Sequence, residues 1–237
     1  MRKHLSVLML FTRSTLYRFL WIIFAMAAAQ SVLFVFAFRS ARGFFGLNTI
    51  LGESRLQIVC AGCFLLLCAL LCLTGSELGS KQRYTLSRLS ISRKMVFVWQ
   101  AVNNATLLLL FWAAQIIIIF VFCNIYMARY QQPQAAMLVF YSSDFLHGLL
   151  PLGETGRLIS VLVLLIALSL TSACVPARMR RGKNPVAFLA IALLCVLFFN
   201  RAKGSVVADF VLSILMITIS VFTVHGVWRG FADEELS

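Results

Sequence analysis

Gly75-Ser-Glu-Leu-Gly-Ser-Lys-Gln-Arg-Tyr-Thr-Leu-Ser-Arg-Leu-Ser-Ile-Ser-Arg-Lys-Met95 is a basic, half-apolar connection wedged between two long hydrophobic runs, residues 56–74 and 97–126. A run of about 20 apolar residues is enough to cross a bilayer as a helix. A short basic segment so placed lies at a membrane face, with Lys81, Arg83, Arg88, Arg93 and Lys94 in reach of water and headgroups. That reading decides the fold, because it turns the flanking runs into consecutive spans of opposite direction.

The rest of the chain has the same character. Of 237 residues, 61% are hydrophobic and 12% charged, and the mean hydropathy is +0.93. A soluble domain is about a quarter charged, so the solvent here is lipid. The formal net charge of +13 sits in short clusters between apolar runs and not in one basic domain. Such clusters are topology signals, and no nucleic-acid partner is expected. Seven cysteines, Cys60, Cys63, Cys68, Cys72, Cys123, Cys174 and Cys195, lie in or at the ends of apolar runs. The four in the second run spread around half a helix with no His nearby to complete a zinc set, so they are read as small apolar packing residues and no metal is expected.

The fold class is all-α, a polytopic membrane protein forming one transmembrane domain over residues 1–237. Six transmembrane helices are predicted at about 16–38, 56–74, 97–126, 158–175, 185–199 and 206–228. The runs are continuous and do not alternate with polar positions, which excludes barrel strands. Residues 1–15 are read as an amphipathic lead-in, 75–96 as a cytoplasmic connection and 127–156 as an outer loop. The fourth span is expected to stop at Pro176, and the fifth is short. Counting Lys and Arg in alternate connections places 14 on one side and 7 on the other, so both termini are expected to be cytoplasmic. The first outer connection, 39–55, is aromatic and glycine-containing at Gly43-Phe-Phe-Gly46 and is expected to lie on the outer membrane surface. The outer loop turns apolar at 135–141 and is expected to form an interfacial or partly re-entrant helix.

Catalytic chemistry is hard to find. There is no Gly-x-Ser-x-Gly, His-Glu-x-x-His or Gly-x-Gly-x-x-Gly, and Gly75-x-x-x-Gly79-Ser80-Lys81 has the wrong spacing for a P-loop. The chain is therefore not expected to be an enzyme or to hydrolyse ATP itself. The polar residues inside spans are amides: Gln30, Asn103, Asn104 and Gln115. They are candidate pathway groups, and equally candidate hydrogen-bonding links between helices. His147 and Asp144, three apart on an outer helix, are read as capping or solvated groups. Asp209 and His225 lie near the two ends of the sixth span.

The order of residues in the second connection carries a resemblance. A span, Glu77, glycine, Thr85-Leu86-Ser87-Arg88-Leu89, a small turn, Ile91-Ser92-Arg93 and a long span together resemble the second cytoplasmic connection of type-2 ABC transporter permeases. Six spans with cytoplasmic termini and a basic lead-in are similar to that family as well. Departures are Ser90, where the family often has proline, and a bulky outer segment between spans three and four where many members carry it between five and six.

The resemblance implies a fold with a short cytoplasmic coupling helix between helices 2 and 3, seated in a groove of a separate ATPase. Glu77, Tyr84, Leu86, Arg88, Leu89, Ile91 and Arg93 would be the ATPase-coupling residues. It implies as partners an ABC-type ATPase dimer, which would bind ATP and Mg, a second permease subunit, identical or homologous, and membrane lipid. It implies no cofactor in this chain, a bacterial inner membrane, and export of a lipid, peptide or antimicrobial through a pathway lined by spans one, two and five. Two alternatives remain at this stage. One is the six-span substrate-binding subunit of a vitamin-type uptake system, with Asp144, His147 and Glu154 lining an outer pocket. The other is a non-transport immunity or assembly protein of the membrane.

Overall fold

The computed structural model describes residues 2–40, 47–76, 92–130, 140–151, 153–199 and 206–236. In chain order the helices are α1 (Arg2–Ser40), α2 (Leu47–Glu53), α3 (Leu56–Ser76), α4 (Arg93–Tyr130), α5 (Asp144–Leu149), α6 (Thr155–Arg180), α7 (Val186–Phe199) and α8 (Val206–Leu236). No strand occurs among the described residues. In lipid every backbone N–H and C=O has to be paired within the segment, and the helix does that for any apolar run. Five helices, α1, α3, α4, α6 and α8, are long and apolar enough to cross a membrane.

Several element boundaries differ from the sequence reading. The lead-in 1–15 and the first span form one 39-residue helix, since nothing between Arg2 and Ser40 breaks it. α4, at 38 residues, is about 57 Å long at 1.5 Å per residue, well beyond a hydrocarbon core of about 30 Å. α6 runs through Pro176 to Arg180. Pro176 removes the intrahelical donor of the Ser172 carbonyl, and the helix continues through it, as helices in a membrane bundle tolerate. What stops α6 is Gly182, at φ +67°. The Gly182 N–H bonds the Met179 carbonyl and the Lys183 N–H bonds the Arg178 carbonyl, each at 3.0 Å, the paired closure that a left-handed glycine permits. α7 has 14 residues and is about 21 Å long, so the expected fifth span falls short of a full crossing by itself. Of the expected coupling segment 75–96, residues 77–91 lie outside the described residues.

α6 is the centre of the bundle. Of its apolar window 67% is buried, against 22–39% for the other long helices. α1, α3, α4, α7 and α8 contribute Met26, Leu67, Leu107, Ile191 and Met216 to one core cluster that also holds Leu164 and Leu168 of α6. A second cluster stacks Phe34 of α1 on Phe122 of α4, ring centroids 4.5 Å apart. Leu47, Ile50 and Leu51 of α2 are buried in it, so within the connection 39–55 the helix α2 packs into the bundle and does not simply lie on a membrane surface. The cause is the spacing of those three side chains, which share one face of a short helix.

Directions follow from paired contacts. Thr12 meets Asn103, Gln30 meets Gln115 and Phe34 meets Phe122, so α1 and α4 are parallel. Ser160 meets Ser213, and the Ala167 carbonyl meets Ser220, so α6 and α8 are parallel too. Phe97 packs on Trp228, and Arg181 lies over Phe231, bringing the start of α4 and the ends of α6 and α8 to one face. The start of α1 and the end of α3 share it.

Candidate functional site

Gln30 and Gln115 meet at the boundary between the two larger core clusters. Gln30 Nε2 donates to Gln115 Oε1 at 3.1 Å and to the Leu56 carbonyl at 3.4 Å. Both side chains are 0% exposed. Gln30 Oε1 and Gln115 Nε2 have no hydrogen-bond partner. A buried donor or acceptor without a partner costs about 1–3 kcal/mol, so this pair is satisfied on one side only.

The other amides do not converge on it. Asn103 Oδ1 accepts from Thr12 Oγ1 at 3.2 Å, tying α4 to α1. Asn104 Nδ2 donates to Ser172 Oγ at 2.8 Å, tying α4 to α6. Asn104 stands eleven residues from Gln115, about 16 Å along the helix. Of the four pathway candidates, two meet and two are separate links between helices. We expect Asn104→Leu to cost only about 0.6 kcal/mol of bundle stability, because Ser172 keeps its bond to the Ser169 carbonyl. Reversible unfolding in mixed micelles measures this, and a loss above about 2 kcal/mol would contradict it. Among the predicted coupling residues, Glu77, Tyr84, Leu86, Arg88, Leu89 and Ile91 lie outside the described residues. Arg93 is the exposed first residue of α4, and the Ser92 carbonyl before it accepts from Met95 and Val96.

Beside the glutamine pair is a cavity of about 200 Å³. Gln115 forms part of its wall, with Phe64 of α3, Phe111 and Trp112 of α4 and Phe199 of α7. Phe145 and Leu149 of α5 roof it, and the Trp112 indole N–H holds α5 in place by donating to the Leu149 carbonyl at 2.9 Å. Gln57 and Ile58, both exposed, form its rim at the start of α3. Among the described residues no charged side chain lines it.

The opposite side of α5 is polar. Asp144 is exposed, but His147 is buried, which departs from the solvated role expected of it. Its Nε2 lies 3.2 Å from Glu154 Oε2, close enough for an ion pair but out of hydrogen-bond alignment. Arg157, 4% exposed, stacks its guanidinium over Phe198 at 5.7 Å. Gly148 faces the same place: a Cβ there would meet the Phe199 carbonyl at 3.4 Å and the guanidinium at 3.7 Å, ordinary contact distances. His147 and Glu154 do not line this cavity. Sequence reasoning missed Arg157 and Trp112. The available signal was an Arg just inside an apolar run and a Trp at mid-run, each out of place for its residue type.

These elements define a class: an α-helical protein whose apolar helices are built to sit in a membrane, with buried amides and an apolar cavity among them. No protein-family model, curated protein or solved structure matches the chain.

Proposed function

We propose that this chain is the transmembrane permease subunit of an ABC-type transporter, exporting a lipid, peptide or antimicrobial on ATP hydrolysed by a separate ATPase. The observation that carries the reading is the setting of the second connection. Residues 77–91 join the end of α3 to the start of α4 at the face that also holds the start of α1 and the ends of α6 and α8. The basic clusters concentrate in those same connections, which makes that face cytoplasmic by the positive-inside rule. α4 then continues without a break from Arg93 to the glutamine pair, 22 residues on, about 33 Å. A helix of that length transmits a push on its first turn to the buried amides as a rigid lever. The work comes from the different affinity of the ATPase for ATP in the two states.

A six-crossing topology agrees with the parallel pairs. α6 and α8 run parallel, and so do α1 and α4; on this reading α7 and α3 are the returning spans between them. The exposed stripe Val186, Leu189, Leu193 and Leu197 on α7 is then open to lipid or to a second permease subunit.

Crosslinking tests the reading. The chain, with its native cysteines replaced and Arg88→Cys introduced, is treated in intact cells of its source with a cleavable thiol crosslinker and then purified. A crosslinked partner that carries a P-loop and hydrolyses ATP is the expected result. Blocking of the introduced thiol by an impermeant reagent added from outside, or recovery of the chain without such a partner, overturns it.

A further inference from the structure

We propose that the groove between α4, α6 and α8 is a binding site for an anionic glycerophospholipid, with an acyl chain along its floor and the phosphate between Lys94 and Arg229. This goes beyond the transport proposal and does not depend on an ATPase.

The groove, of about 540 Å³, reaches the contact between Phe97 and Trp228. Small side chains shape its floor: Ala101 and Ala105 of α4, Ser169 of α6 and Ser220 of α8. Exposed Val98, Val102, Ile166 and Val221 stand along it, so it opens outward to the hydrocarbon and not into the bundle. Both floor hydroxyls are turned to their own helices. Ser169 donates to the Ile166 carbonyl and Ser220 to the Met216 carbonyl, each at 2.8 Å. The floor thus offers apolar surface, and an acyl chain lies on it without desolvating a polar group.

The charge lies at one end. Val221, His225 and Arg229 recur at four-residue spacing on α8, and Lys94, Val98 and Val102 do so on α4. Each row of side chains beside the groove is therefore continued by a cation on the same helix face. His225 and Arg229 are exposed and Lys94 is half-buried. Trp228 and Phe97, ring centroids 6.2 Å apart, join the two rows next to Arg229 and one turn from Lys94. A half-exposed Trp beside basic residues belongs at headgroup depth. Among the described residues no carboxylate lines the groove. Asp233, the acidic residue nearest Arg229 in sequence, lies a turn further out along α8. Cations at the mouth of an apolar groove between membrane helices match a phosphate carried on acyl chains. A zwitterionic headgroup would bring its own cation to the same place, which favours a net-negative one. A second copy seated here on a two-fold axis would set Lys94 and Arg229 against their own counterparts, and like charges oppose that.

Trp228 lines the groove and reports on it. The full chain retaining Trp228 alone, with Trp21, Trp99 and Trp112 each changed to Phe, is reconstituted in dioleoylphosphatidylcholine vesicles. Quenching is titrated with phosphatidylglycerol brominated on its acyl chains, and separately with phosphatidylcholine brominated likewise. The phosphatidylglycerol is expected to occupy the site about tenfold more strongly, a preference that two basic groups at a membrane surface support. Lys94→Gln combined with Arg229→Gln should bring the two lipids to equal quenching. Ala105→Phe, which fills the floor and keeps both cations, should also remove the preference, whereas anionic lipid gathered loosely around the bundle would leave it unchanged. Equal quenching by the two lipids in the protein that keeps Lys94 and Arg229 overturns the proposal, as does a preference that survives the Gln pair or Ala105→Phe. Native mass spectrometry of the unsubstituted chain in mixed micelles makes the same comparison without any Trp replacement. Retention of phosphatidylglycerol over phosphatidylcholine supports the site, and equal retention overturns it.

Discussion

Leu86→Asp combined with Arg88→Glu is expected to abolish association with the proposed ATPase partner while leaving membrane insertion and folding intact. The pair lies in Thr85-Leu86-Ser87-Arg88-Leu89, the stretch that resembles the coupling helix. An apolar residue seated in a groove loses its burial when replaced by a carboxylate, and the charge must also be desolvated to remain there. Reversing the neighbouring basic residue replaces attraction with repulsion against whatever acidic groups steer docking. Together these amount to an affinity loss of about 100-fold or more, enough to lose co-purification. Insertion depends on the apolar runs on either side, which the two changes do not touch. The measurement is co-purification of the partner alongside the monodispersity of the chain itself. Undiminished association, with the protein intact, would remove the second connection from any coupling role.

The second large effect concerns the glutamine pair. Gln30→Leu alone leaves Gln115, 0% exposed, with neither end of its amide paired between two apolar clusters. We expect that single change to destabilise the bundle by about 1–3 kcal/mol. Changing both residues to Leu removes donor and acceptor together, and the cost should fall towards zero, because no polar atom is then stranded. The double-mutant cycle should yield a coupling of about 0.6–1.7 kcal/mol, the range found for hydrogen bonds between membrane helices. Unfolding in mixed micelles, compared across the two single variants and the double, measures it. Additive costs would mean the two amides do not depend on each other, contrary to the 3.1 Å contact between them.

Much of this architecture is legible in the residues, for a reason that particular elements make plain. The runs that become α3 and α4 are continuous and apolar, and their helical state does not depend on what they touch. Pro176 does not end α6, because a proline takes one hydrogen bond from a helix whose other backbone pairs and buried packing persist. Apolar residues near a membrane face can lie on lipid or pack inward, and the sequence of α2 does not say which. Leu47, Ile50 and Leu51 pack inward because Phe34, Phe122 and Tyr126 offer a surface there. His147 was read as solvated since nothing in Asp144-Phe-Leu-His147 shows that Arg157 and Phe198, from two other helices, close over that side of α5.

The sequence by itself determined that this is a helical membrane protein, where its long apolar helices lie, and that its basic residues favour one set of connections. Lipid cannot satisfy a bare backbone, so each apolar run has one available form whatever its neighbours. Only the tertiary structure decided that Gln30 finds Gln115 across 85 residues, that Asn103 and Asn104 turn to different partners, and that a cavity opens beneath α5. Between helices in lipid the hydrophobic effect supplies little drive, so shape and a few hydrogen bonds choose the contacts. Those depend on which faces are brought together, which no single run of residues contains.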